Sequence, residues 1–190
     1  MRTTYDVRMR RRLFAPIAVL ACMLLAACAS RLPVTADTAT FIVVRHAEKV
    51  DASHDPDLSA AGHARARALA ERLGDLPLAA AYATEFKRTG QTLSPTAQAR
   101  GLAITAYAAG EPAAALAARL RAAHPRGTVL VAGHSNTVPA IVAALCGCAV
   151  APMPDHEYDR LSTIRIGADG QPRLLVERYG AATPAPAATP

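Results

Sequence analysis

Hydrophobic positions between residues 40 and 180 follow two rhythms: short unbroken apolar runs, and longer stretches where apolar residues recur every three or four positions. Thr40-Phe41-Ile42-Val43-Val44 and Thr128-Val129-Leu130-Val131-Ala132 are continuous and rich in β-branched residues, as strands buried on both faces are. Residues 78–83 and 102–107 read as two further short strands. Ser59 offers a hydroxyl cap to a helix running to about Leu73, with Leu69 and Leu73 on one face and Gly74 as its stop. On that helix Arg65, Arg67 and Arg72 are expected in solvent. Residues 88–100 are expected to be helical, kinked or broken at Pro95. Residues 112–124 form an Ala-rich helical pattern with Pro112 at the first position and Leu116 and Leu120 in register. Residues 138–146 make a fourth helix. Residues 160–166 and 173–179 flank Asp169-Gly170 as a hairpin.

Strands alternating with helices predict an α/β fold, a mainly parallel sheet with helices on both faces. In such sheets ligands bind beyond the carboxyl ends of the strands. The body of about 140 residues can bury a core without disulfide staples. Cys146 and Cys148, one residue apart, leave two readings open: a tight disulfide, or two small buried residues at a helix end. Zinc is not expected, because no second pair of Cys or His stands at ligand spacing.

Both ends of the chain differ from this body. Arg10-Arg11-Arg12 precede an uncharged apolar run over residues 13–27, interrupted only by Pro16. The run is short for a membrane span of about 20 residues and fits a signal-peptide core. Its end, Leu25-Ala26-Ala27-Cys28, resembles the bacterial lipobox. That resemblance implies a signal peptide over residues 1–27, lipidation of Cys28, a tether over residues 28–38 and a domain over residues 39–180. Cys22 fits the pattern less well. Ala29 in place of an aspartate favours the outer membrane, so the expected location is the periplasmic face of the envelope. Arg11-Arg12-Leu13-Phe14 also has some likeness to a twin-arginine signal, and Met9 is an alternative start. Residues 181–190 contain only Ala, Thr and Pro and are expected to be disordered.

The net charge of +6 shrinks once residues 1–27 are set aside, which leaves 16 basic against 14 acidic side chains. A body so near neutrality, with no Trp and 4% aromatics, argues against a nucleic-acid partner. Its chemistry must come from a few placed cations.

Those cations stand at the predicted strand ends. The first strand runs into Arg45-His46-Ala47-Glu48-Lys49, the second is followed by Thr84-Glu85-Phe86-Lys87-Arg88-Thr89, and the fourth runs into Gly133-His134-Ser135-Asn136-Thr137. Core packing does not call for two histidines and two arginines on one edge. Guanidinium forks suit a multi-oxygen anion. Histidine serves near neutral pH as a nucleophile or as a charged donor. A helix opening near Ser135-Asn136, with Pro139 in its first turn, would add N–H groups favourable to an anion. The set reads as phosphoryl chemistry.

Four ordered blocks, Arg45-His46-Ala47-Glu48, Leu58-Ser59-Ala60-Ala61-Gly62, Arg88-Thr89-Gly90-Gln91-Thr92 and Gly133-His134-Ser135-Asn136, resemble the histidine phosphatase (phosphoglycerate mutase-like) superfamily over about residues 40–165. The resemblance implies His46 as the nucleophile that becomes phosphohistidine, Arg45 and Arg88 as phosphate clamps, and His134 as a second histidine that binds the transferring oxygens. It implies no metal and no cofactor. The family's proton donor is the least legible part. Glu111 is the first choice and Glu85 the second. Glu48 is expected to orient Arg45 or Lys49, and His156, Glu157 and Asp159 to form a solvated loop. His54, His63 and His124 are expected at the surface.

The expected activity is hydrolysis of a phosphomonoester, with a phosphorylated small molecule or envelope sugar phosphate as partner and the membrane reached through the lipid anchor. The alternative is a lipoprotein that binds a phosphorylated ligand without turnover.

Overall fold

The computed structural model describes residues 38–183. The expected signal peptide over residues 1–27, Cys28 and almost all of the expected tether lie outside the described residues, as do residues 184–190. The strands are β1 (Ala39–Arg45), β2 (Ala80–Thr84), β3 (Ile104–Tyr107), β4 (Gly127–Gly133), β5 (Arg160–Ile166) and β6 (Pro172–Arg178). The helices are α1 (Ala60–Leu73), α2 (Lys87–Gln98), α3 (Ala113–Ala123) and α4 (Val138–Cys146). They form one sheet in the order β3-β2-β4-β1-β5-β6. The first four strands in that order are parallel, while β5 and β6 pair antiparallel.

Side-chain alternation along the central strands divides the core in two. Phe41, Val43, Val129 and Val131 pack with Leu116 and Leu120 of α3 and Ile141 and Leu145 of α4. On the opposite face Ile42, Val44, Leu130 and Ala132 pack with Leu69 and Leu73 of α1 and Leu93 of α2. The mainly parallel sheet with helices on both faces is therefore observed, as are the Ser59 cap, whose Oγ accepts from Gly62 N at 3.1 Å, and the Gly74 stop.

Four local expectations are corrected. Helix α2 runs through Pro95 as one element. It keeps its length because its buried face, Thr89, Thr92, Leu93, Thr96 and Ala97, holds it against the sheet. Arg65 is buried, not solvated, whereas Arg67 and Arg72 are exposed as expected. Helix α4 opens at Val138, because residues 134–137 first form a turn in which Thr137 N and Val138 N both donate to His134 O. Pro112 caps α3 from just outside it. Cys146 and Cys148 are joined as a disulfide with Cα atoms 5.2 Å apart, across Gly147, whose φ of 64° favours glycine.

Candidate active site

Strand pairing places the two histidines side by side. Arg45 of β1 is in register with Gly133 of β4, and His46 N donates to Gly133 O at 2.9 Å. The residues just past the two strands therefore meet, and the His46 and His134 rings lie 5.3 Å apart, edge to face. They open on a pocket of about 470 Å³ at the carboxyl ends of the parallel strands. Arg45, Lys49, Arg88, Phe86, Asp155 and Tyr158 also line it, together with the turn residues Ser135, Asn136 and Thr137.

Hydrogen bonding assigns the His46 tautomer. Its Nδ1 lies 2.8 Å from Ala47 O, and a carbonyl only accepts. Nδ1 thus carries the proton and Nε2 keeps its lone pair. Burial lowers the His46 pKa to about 3, and the nearby Arg45, His134 and Arg88 push the same way against the Ala47 bond. The ring is neutral throughout the physiological range.

His134 has the reverse arrangement. Arg88 Nη2 donates toward its Nδ1 at 3.4 Å, so Nε2 carries the proton and donates to Thr84 Oγ1 at 3.1 Å. Thr84 passes the chain to Thr89 Oγ1 at 2.9 Å, which donates to Phe86 O at 2.7 Å. Burial lowers the His134 pKa to about 4, with Arg88 adding to the effect and Glu85 opposing it.

Arg45 is held on one side and unpartnered on the other. Its Nη1 donates to the carbonyls of Pro154, Asp155 and Glu157 at 3.3, 2.7 and 2.9 Å, and the Tyr158 ring covers the guanidinium at 4.0 Å. Its Nε is buried without a partner. A buried donor with no partner among the described residues is costly. Arg88 is steadied by His54 O at 3.1 Å, by Asp55 at 3.9 Å and by the Phe86 ring at 4.3 Å. Burial lowers both arginine pKa values, and neighbouring carboxylates oppose that.

The remaining motif residues form the scaffold of the site. Thr92 Oγ1 accepts from Ala47 N at 2.8 Å and donates to Arg88 O at 2.7 Å, bracing the loop after His46 against the start of α2. Gln91 Oε1 accepts from Leu58 N at 2.8 Å. Gly62 lets α1 abut the loop after His46, where a Cβ would collide with Glu48 O.

The site thus joins His46, His134, Arg45 and Arg88, as the sequence predicted. Glu111 is not among the pocket-lining residues: it begins the approach to α3 and takes a two-pronged bond from Arg119 at 3.2 and 2.8 Å. Glu85 accepts from Ala109 N at 2.8 Å at the pocket margin. Glu48 pairs with Arg65 at 2.7 Å instead of orienting Arg45 or Lys49. Glu157 and Asp159 are buried, not solvated: Glu157 pairs with Arg160 and Arg178, and Asp159 with Arg178. His54 and His63 are exposed, whereas His124 is half-buried and lies 2.8 Å from the Tyr82 hydroxyl. Lys49, Phe86, Asp155 and Tyr158 also line the pocket; sequence reasoning placed Lys49 and Phe86 at the strand ends and looked to loops 47–57 and 147–159 for specificity, but gave none of the four a role. The only available signal was that the charged 155–159 segment precedes β5, which pairs with the nucleophile strand.

Comparison with known proteins agrees with this geometry. Residues 41–110 match the model of the histidine phosphatase superfamily (branch 1), and the fold is that of histidine phosphatases. The protein histidine phosphatase SixA, complexed with tungstate, is similar at 22% identity and a TM-score of 0.61, covering 73% of this chain and 96% of SixA. A native mycobacterial glucosyl-3-phosphoglycerate phosphatase is similar at 16% identity and a TM-score of 0.59, over 76% of this chain and all of the other. YhfR of Bacillus stearothermophilus is similar at 18% identity and a TM-score of 0.60, over 73% and 96% of the two chains. No curated protein matches the sequence.

Proposed function

We propose that this chain is a phosphomonoesterase working through a phosphohistidine on His46, at the periplasmic face of the envelope. The observation that carries the reading is the His46 Nε2 lone pair, fixed by the Nδ1–Ala47 O bond, in a pocket shared with the unpartnered buried Nε of Arg45. In the first step Nε2 attacks phosphorus, the N–P bond forms, and the ester P–O bond breaks. In the second, water attacks the phosphohistidine, the P–N bond breaks, and inorganic phosphate leaves. The two-step path replaces one difficult displacement with two easier ones. Little covalent help is needed beyond the nucleophile, so placed charge carries the rate. Arg45 and Arg88 supply that charge. An arriving phosphoryl group favours a protonated His134 Nδ1, which then donates to a phosphoryl oxygen.

The pocket volume and its polar turn residues suit a small phosphorylated molecule, such as an envelope sugar phosphate. The lipobox-like Leu25-Ala26-Ala27-Cys28 supports a lipid anchor at Cys28 and hence the location. The test is inorganic phosphate release by the full chain from p-nitrophenyl phosphate and a panel of sugar phosphates, wild type beside His46→Ala. The reading expects release that vanishes in the variant. Equal release by both proteins, or none by the wild type from any compound, contradicts it.

A further inference from the structure

We propose that Asp155 is the proton donor to the leaving oxygen and the proton acceptor from the attacking water. The inference rests on the phosphatase reading above and assigns a role that the displaced Glu111 leaves open.

Asp155 is the only carboxylate among the residues lining the pocket. Its two polar ends tie it to both histidine blocks. Its carbonyl accepts from Arg45 Nη1 at 2.7 Å, next in sequence to His46. Its Oδ1 accepts from Ser135 Oγ at 2.9 Å, next in sequence to His134. The side chain is exposed to the pocket mouth, where a leaving group would depart, and no cation is ion-paired with it among the described residues. By contrast, Glu85 accepts from Ala109 N and is not among the lining residues, Glu111 is paired with Arg119, and Glu157 and Asp159 with Arg160 and Arg178. The segment carrying Asp155 is fixed by those ion pairs and by the disulfide at its start, so the carboxyl is held at the pocket.

The proton balance closes over one turnover. As Nε2 of His46 bonds to phosphorus and the P–O bond breaks, the ester oxygen takes the proton of the Asp155 carboxyl and leaves as an alcohol. Water then attacks the phosphohistidine and gives its proton to the Asp155 carboxylate as the P–N bond breaks. The carboxyl is restored and phosphate is released.

A proton donor matters in proportion to the basicity of the leaving group, and that gives a readout which a structural role would not share. Steady-state kinetics of the full chain are compared for wild type and Asp155→Asn on a series of ring-substituted phenyl phosphates and on benzyl phosphate. Asn preserves the backbone carbonyl that binds Arg45. In kcat/KM, which reports the first phosphoryl transfer alone, Asp155→Asn is expected to stay within about threefold of wild type on p-nitrophenyl phosphate and to lose about 100-fold or more on benzyl phosphate, the range of general acid catalysis, while kcat falls on both because the water step has lost its proton acceptor. The variant's dependence of kcat/KM on leaving-group basicity should be the steeper of the two. Ser135→Ala should show the same trend, weakened. Equal losses in kcat/KM along the whole series, or no loss on benzyl phosphate, overturn the assignment while leaving the phosphatase reading intact. Wild type inactive on every member contradicts the phosphatase reading itself, and this inference with it.

Discussion

His46 and His134 are kept neutral by burial, and this choice has a measurable cost in acid. Their pKa values fall to about 3 and about 4 in the folded protein, against about 6.5 for an unfolded histidine. Below that value the unfolded chain binds protons that the folded chain excludes. The full stability is therefore present above about pH 6.5 and is lost as pH falls toward 4. At pH 5 each ring costs on the order of 2 kcal/mol. Thermal melting at pH 7 and pH 5 should show the loss, and His46→Asn should flatten it. A pH-independent melting temperature would contradict the neutral pair. The same reasoning removes His46 protonation as the cause of any activity loss between pH 5 and 7. For the clamp, Arg88→Ala removes a charge-assisted contact worth about 1.5–3 kcal/mol. It should lower kcat/KM by about 10- to 100-fold. Unchanged kcat/KM would show that Arg88 does not touch the phosphoryl group.

At the scale of elements, the site depends on how closely α1 and α2 approach the loop after β1. Gly62→Ala places a methyl group against the Glu48 carbonyl. A backbone atom cannot yield as a side chain can, so a loss of about 1–3 kcal/mol is expected. A melting temperature equal to wild type would refute that contact. Arg65 donates to Glu48, Tyr179 O and Ala181 O, joining α1 to both the nucleophile loop and the end of the described chain. Arg65→Ala should cost about 3 kcal/mol, because the semi-buried Glu48 is left without its partner, and urea denaturation would measure it. Most element boundaries were legible because strand and helix signals are local. The β-branched run before Arg45, Ser59 with its capping position, and the turn residues Asp169-Gly170 each act over a few residues. Pro95 misled because its penalty is local while its compensation is not: the buried face of α2 packs on a sheet whose position no short window reveals. Arg65 misled for the same reason, since its partners lie 17, 114 and 116 residues away.

At the scale of the whole molecule, half of the site was visible in the sequence and half was not. His46, Arg88 and His134 follow three parallel strands, so the rule that ligands sit at carboxyl ends gathers them without any knowledge of contacts. Asp155 and Tyr158 reach the pocket from a loop before an antiparallel strand, 110 residues from Arg45 in the case of Asp155. No periodicity marks such a return, and a cluster of charges there reads equally well as a solvated loop. Glu111 shows the opposite case: a carboxylate in a plausible place along the chain is paired with Arg119 and is not among the pocket-lining residues. The N-terminal segment bears on where the domain works. Cys28→Ser is expected to move the full chain from the membrane fraction to the soluble periplasmic fraction, read by immunoblot of fractionated cells. Continued sedimentation with membranes would count against lipidation at that cysteine.

The most direct test of the central claim is to trap the covalent intermediate. Wild type and His46→Ala would be mixed with p-nitrophenyl phosphate, quenched in base within milliseconds to seconds, and mapped by peptide mass spectrometry. The account predicts an acid-labile, base-stable phosphoryl group on His46, absent from the variant and short-lived in the wild type. A phosphoryl group on another residue, or turnover in the wild type with no phosphohistidine at any quench time, would contradict it.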